Sequence, residues 1–409
     1  MKATGLHNAK ISNTFIMKKS ALTLAVLSAM SANSFANVIY TGENNQINFS
    51  GDVEFDVSHK DDRSNNALNG GNHKPWYQND HRDENNIDGR ILLEIEGVQQ
   101  LDSGNYAGFR VQPLLNIGGS DGGTVGLDDV EFSFGQQNSW SVKVGRFEAY
   151  DMFPLGDDIF VDYVGNTSDS MYRDGSGYVY MMNEARGRSD SAGQMLYNFQ
   201  SGGFYFEMAT MIGNRANLFG DNYSDKRTYH GYNVEDRKNS VLVRPVVAYN
   251  FGNLVTVALG AERNLVDDAV VMEIDKAQQH YKDISDREGY GATINFNNGV
   301  VDANFNSDET NQSFGANVVY NGFGLGYIHA FNDIDIVKTP EQGNEHGAVA
   351  GMSETQTLYT SYRFADVMSV KDFDIYLSAY HSRFSPDSDT TNGKDTKETG
   401  TKVRFNYRF

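Results

Sequence analysis

The chain has no cysteine among its 409 residues, so its fold is held without disulfides even where an oxidising exterior would preserve them. It has no basic excess, with 34 Lys and Arg against 54 Asp and Glu, which argues against nucleic acid as a partner. Beyond its first three dozen residues, no apolar run approaches the ~20 residues of a membrane helix. The marks of catalysis are also missing. No Gly-x-Ser-x-Gly elbow occurs, and Gly175-Ser176-Gly177 lacks both the flanking pattern and a nearby histidine. The histidines are scattered, no pair has metal-ligand spacing, and no cofactor is called for. The acidic pairs Asp61-Asp62, Asp157-Asp158 and Asp267-Asp268 read as solvated charge rather than calcium ligands. His329 and His381 read as rim residues near strand ends.

What is present begins with a leader. Lys18 and Lys19 precede the apolar run Ala21 to Ala29, and Ser34-Phe35-Ala36 has the small-x-small form of a signal-peptidase site. Residues 1–36 are expected to be removed on export, with initiation at Met17 and residues 1–16 either an over-long start or an extension. The leader takes Lys2, Lys10, Lys18, Lys19 and no acid, so residues 37–409 hold 30 bases against 54 acids, a net charge of -24.

From Asn37 onward the chain falls into segments of roughly ten alternating residues, the length of a tilted strand crossing a hydrocarbon layer. Ile47, Phe49, Val53, Phe55 and Val57 take one face of the first, and Asn48, Ser50, Asp52, Glu54 and Asp56 take the other. Ile87, Ile91, Leu93 and Ile95 likewise oppose Asp88, Arg90, Glu94 and Glu96. Sixteen such segments can be counted, an even number as in bacterial outer-membrane barrels. The connections alternate between short turns, several of Asn-Gly type, and long polar stretches. The long ones include His59 to Asn85, Asn214 to Asn239, Arg263 to Arg287 and Asn332 to Ser353. The pattern predicts an all-β fold, a transmembrane antiparallel β-barrel of about sixteen strands. The competing fold is a secreted two-sheet carbohydrate-binding β-domain, but a dry core would penalise the opposed charges on the polar faces.

One stretch resists the strand pattern. Between the strand Ser139 to Arg146 and the next, which starts near Ala192, residues 147–190 combine many rings with many carboxylates. A connection of roughly forty residues is functional or disordered, and this many rings need something to pack on. It is expected to fold inward as a constriction loop. Carboxylates Glu148, Asp151, Asp157, Asp158 and Asp162, with Arg186 and Arg188, would then face the basic wall residues Arg90, Arg110, Lys143 and Arg404. Phe147, Phe153 and Phe160 read as anchors to the wall. Tyr150, Tyr163 and Tyr172 are candidates for stacking on solute rings, because their hydroxyls need partners. Each carboxylate has an equally good reading as loop solvation or a structural partner of a wall arginine.

The last strand, Thr401 to Phe409, has an apolar or aromatic residue at every second position back from its terminal Phe. This resembles the C-terminal signature of Gram-negative outer-membrane porins, as do the strand count and the long loop after the fifth strand. Gly145 to Pro154 and Tyr180 to Arg188 are similar to carbohydrate-selective glycoporins of the raffinose-porin type, and the Pro-Glu-Phe-Gly-Gly of many general porins is missing. The resemblance implies a homotrimer in the outer membrane, in contact with lipid and lipopolysaccharide. Phe409 would be read by the barrel assembly machinery after periplasmic chaperones have delivered the chain. Gly51 and Ala107 are small outward residues suited to a contact between barrels. The implied function is passive diffusion of small hydrophilic solutes with a preference for sugars, and the alternative is a non-specific, mildly cation-selective pore.

Overall fold

The computed structural model describes residues 37–42, 44–62, 82–118, 123–150, 152, 193–214, 221–223, 226–229, 232–252, 254–286, 288–296, 299–306, 311–334, 351–387 and 395–409. The expected leader, and all of the 147–190 segment beyond its first residues, lie outside them.

The chain starts with a short strand, β1 (Asn37–Thr41), followed by β2 (Asn45–Asp62), β3 (Arg82–Gln100), β4 (Asn105–Gly118), β5 (Thr124–Gln136) and β6 (Trp140–Arg146). Next come β7 (Gly193–Ser201) and β8 (Phe204–Gly213), then three short strands, β9 (Asp221–Tyr223), β10 (Lys226–Tyr229) and β11 (Tyr232–Asp236). Beyond β12 (Ser240–Asn250) and β13 (Thr256–Asn264), two more short strands follow, β14 (Val270–Asp275) and β15 (His280–Asp283). The remainder is β16 (Glu288–Phe296), β17 (Gly299–Asn306), β18 (Asn311–Tyr320), β19 (Phe323–Ile334), β20 (Gly351–Phe364), β21 (Phe373–Pro386) and β22 (Thr396–Arg408).

Sixteen of these strands pair antiparallel, each with the next barrel strand along the chain, from β2 through β8, β12, β13 and β16 to β22. The series then returns on itself. β22 lies against β2, from Arg408 opposite Asp52 to Glu398 opposite Asp62, while the other edge of β2 holds β3. With β2 flanked on both edges, the sheet is a closed barrel, and sixteen strands are enough to enclose an aqueous channel. β1 takes the same edge of β2 just past the end of β22, with Asn37 opposite Phe49. Between them Phe409 exchanges two backbone hydrogen bonds with Gly51, each 3.0 Å.

The pleat sorts side chains in the reverse sense from a water-soluble protein. Asp129, Glu131, Lys143, Glu207 and Glu262 face inward and are buried, whereas Phe132, Val144, Leu259 and Leu358 face outward and are exposed. Such an apolar exterior suits lipid. It overturns the secreted two-sheet alternative, whose apolar faces would have to meet inside. Tight turns close one rim, as at Asn321 and Gly322, both with positive φ (48° and 80°) in the hairpin between β18 and β19.

Two of the connections expected to be long and polar are ordered instead. β9, β10, β11, β14 and β15 form a second sheet in that order, in which β11 from the β8–β12 connection pairs with β14 from the β13–β16 connection. Tyr232, Val270, Met272 and Ile284 make its core, with Val234 and Ile274 packed against them. These strands escaped the sequence reading because they are short. Val270, Val271 and Met272 are also all buried, which erases alternation. Met272→Lys would bury an unpaired charge there. It should expose this sheet to added protease while barrel migration on unheated gels stays wild type; unchanged protease resistance would show that the cluster does not hold the sheet.

Candidate functional site

The lumen wall has two unlike arcs. Along β22, β2, β3, β4, β5 and β6 the inward positions carry opposite charges placed side by side by register. Arg404 lies opposite Asp56, Arg90 opposite Glu54, and Arg110 between Glu96 and Glu131. The guanidinium of Arg404 grips Asp56 with two bonds of 2.8 Å and reaches Glu54 at 3.2 Å, the fork geometry that makes arginine-carboxylate pairs strong. Lys402 adds a third contact to Asp56 at 3.2 Å. Arg90 is 2.9 Å from Glu54 and 3.5 Å from Asp52. Arg110 sits 3.6 Å from Glu94 and 3.7 Å from Asp129, and Lys143 lies 3.1 Å from Glu131. Gln112 extends the stripe by donating to Glu94 at 2.6 Å.

The wall cations expected from sequence are therefore gathered on one arc. Their partners among the described residues are carboxylates of the same wall, which strand-by-strand reading could not pair without the stagger between strands. Inward acids on this arc are Asp52, Glu54, Asp56, Asp88, Glu94, Glu96, Asp129 and Glu131, against the bases Arg90, Arg110, Lys143, Lys402, Arg404 and Arg408. Acids outnumber bases, so a salt-gradient reversal potential is expected to show a modest cation preference; anion preference would mean that other lumen charges dominate.

The second arc, on β7, β8, β12 and β13, is largely apolar, with Leu196, Ala209, Leu242, Val246 and Ala258 buried on its inner face. This departs from the expected polar lining, and the reason is the chain that lies on it. After β6 the backbone turns inward. Phe147 is fully buried and packs with Ala149 on Leu196 and Ala209, as an anchor should. Lys143 stands 5.6 Å over the Phe147 ring. The Phe147 N–H donates to Gln194 at 3.3 Å. Tyr150 is held at both ends of its peptide unit: its N–H donates to Glu207 at 3.0 Å, and its carbonyl accepts from Arg244 at 2.7 Å. Glu207 and Arg244 are 3.7 Å apart, and the Tyr205 hydroxyl donates to Glu207 at 2.6 Å. The hydroxyl of Thr293 on β16 donates to the Met152 carbonyl. Between Phe147 and Met152 the chain thus crosses the inner faces of β7, β8, β12 and β16.

Glu148 is exposed, and the Tyr150 ring lies tilted against Tyr205 at 5.5 Å. Asp151, Asp157, Asp158, Asp162, Tyr163, Tyr172, Arg186 and Arg188 lie outside the described residues, as do Phe153 and Phe160. Sequence reading missed Glu207 and Arg244. The available signal was that each is the sole charge in its strand, FYFEMATMIG and SVLVRPVVAYN. His329 and His381 sit within β19 and β21 rather than at the rim, because those strands run further than the alternation indicated.

Residues 49–409 match the model of a family described as porin-like glycoprotein channel proteins of the glycoporin RafY type. Among solved structures, the anion-selective porin from Comamonas acidovorans has a TM-score of 0.51 and 15% identity, over 89% of this chain and 100% of that one. A mutant of the Rh. blastica porin has a TM-score of 0.48 and 13% identity, over 88% of this chain and 100% of that one. No curated protein matches the sequence.

Proposed function

The chain belongs to the porin-like glycoporin RafY family and is an outer-membrane porin, and from that premise we propose that it passes small hydrophilic solutes passively with a preference for neutral carbohydrates. The observation that supports this most is the ion-paired wall. Cations neutralised by adjacent carboxylates leave many hydrogen-bond donors and acceptors but little net field, which suits a polyhydroxylated solute better than an ion. Binding must be weak, because a conducting pore releases what it binds. The test is sugar block of single-channel current in planar bilayers, comparing di- and trisaccharides in the wild type, Tyr150→Ala and Tyr163→Ala. Block at millimolar sugar supports the preference. If no sugar interrupts the current and uptake follows solute size and charge alone, the general, mildly cation-selective pore stands instead.

The same proposal includes export by the leader at 1–36 and assembly as a homotrimer beside lipopolysaccharide, with chaperones and the assembly machinery acting on the way. Ala107 remains a small outward candidate for the contact between barrels. Gly51 has another occupant, since a Cβ there would meet the Phe409 ring at 2.7 Å.

A further inference from the structure

A cleft of about 450 Å³ opens on the charged arc between β22, β2, β3 and the start of β5, lined by Glu54, Asp88, Arg90, Asn116, Thr124 and Arg404. Its volume falls in the ~300–1,000 Å³ range of small-molecule sites. Asn116 and Thr124 face one another across the β4–β5 pair. Gly123, with φ of +96°, makes the sharp entry into β5 between them, where a Cβ would meet the Asn116 carbonyl at 2.5 Å. Neither Asn116 nor Thr124 is drawn into the ion pairs described above, and both are exposed. Arg90 keeps 39% of its side chain exposed while it holds Glu54, so donors and acceptors stand together at the cleft wall.

We propose that this cleft is the wall-side subsite for a neutral polyhydroxylated solute, an inference that rests on the carbohydrate preference above and locates one of its contacts. A charged guest would have to compete with pairs already formed, in which Arg404 holds Glu54 and Asp56 and Arg90 holds Glu54. A hydroxyl both donates and accepts, so it can add to the open sides of those pairs without breaking them. The amide of Asn116 and the hydroxyl of Thr124 supply neutral partners of the same double character.

The experiment is single-channel block by sucrose and by maltotriose in the wild type, the Asn116→Ala/Thr124→Ala double variant and Thr124→Trp, which would fill the cleft. Block is read as the interrupted fraction of each variant's own current, so only folded channels contribute. The expected result is that sugars block the wild type and that the double variant weakens block about threefold to tenfold for each hydrogen bond lost, with Thr124→Trp at least as impaired. Equal block in all three overturns the cleft and leaves the carbohydrate preference standing. Absence of block in the wild type removes both. Block by glucosamine but not by sucrose, lost in the double variant, also overturns the proposal, because the cleft would then select charge.

Discussion

Arg244→Met should leave a barrel that still inserts but whose current is unsteady, with open-channel noise and voltage-induced closures well above wild type. Arg244 and Glu207 are both almost wholly buried, at 3% and 2% exposure, and between them they hold both polar groups of Tyr150. Removing the cation strands a buried carboxylate, a change that costs roughly 3–5 kcal/mol when one partner of a buried pair is deleted. The Tyr150 carbonyl also loses its donor. Glu207→Gln is the milder change, since an amide oxygen can still accept from Tyr150 and Tyr205, and it should fall between wild type and Arg244→Met. The double variant should be less disturbed than the sum of the singles, with a coupling of about 1–3 kcal/mol in a double-mutant cycle. A current trace of Arg244→Met indistinguishable from wild type would show that the entry of the segment into the lumen is fixed by the apolar contacts of Phe147 and Ala149 alone.

The second large effect belongs to Phe409. Its backbone makes two hydrogen bonds to Gly51, and its ring covers Gly51 and lies 5.9 Å from Phe49 and 6.2 Å from Tyr407. Deleting the residue forfeits ring burial of about 1.5–3 kcal/mol and hydrogen bonds of about 0.5–1.5 kcal/mol each. The yield of heat-modifiable, folded barrel on unheated gels should fall at least about tenfold, which corresponds to only ~1.4 kcal/mol. Gly51→Val should do comparable damage from the other side, because its side chain would occupy the place of the ring. Phe409→Leu should retain part of the yield. Wild-type yield and wild-type thermal stability in both the deletion and Gly51→Val would refute a structural role for this contact and leave only recognition during assembly.

The barrel was legible because a strand with lipid on one side and water on the other must alternate, and sixteen segments did. Where both faces of a strand meet water, the contrast disappears. That is why the upper parts of β2 and β3, which run to 18 and 19 residues, were not seen as strand. β1 escaped because five residues are too few to establish a period. Among site residues, Arg90, Arg110, Lys143 and Arg404 could be assigned to the inner face from alternation alone. Their pairing with Glu54, Glu94, Glu131 and Asp56 could not, since it depends on register across strands that are joined by long connections. The Tyr150 clamp was hidden for another reason. Glu207 and Arg244 bind a backbone N–H and C=O, which every residue has, so nothing in the side-chain pattern of residues 147–152 announces them.

The seam between β2 and β22 also bears on the order of events in folding. Arg404 and Glu54, which meet across it, are 350 residues apart, whereas most neighbouring strands are joined by connections far shorter. Bringing such distant partners together costs about 5 kcal/mol in loop-closure entropy on a logarithmic scale, against about 1–3 kcal/mol for a hairpin. Hairpins should therefore form early and the seam last. Until then β2 and β22 each present an open edge ready to pair with any other strand, so the hazard of aggregation is concentrated in the interval before the ring shuts. Once shut, the ring has no strand end from which to peel, and unfolding must begin by reopening the contact that was slowest to form.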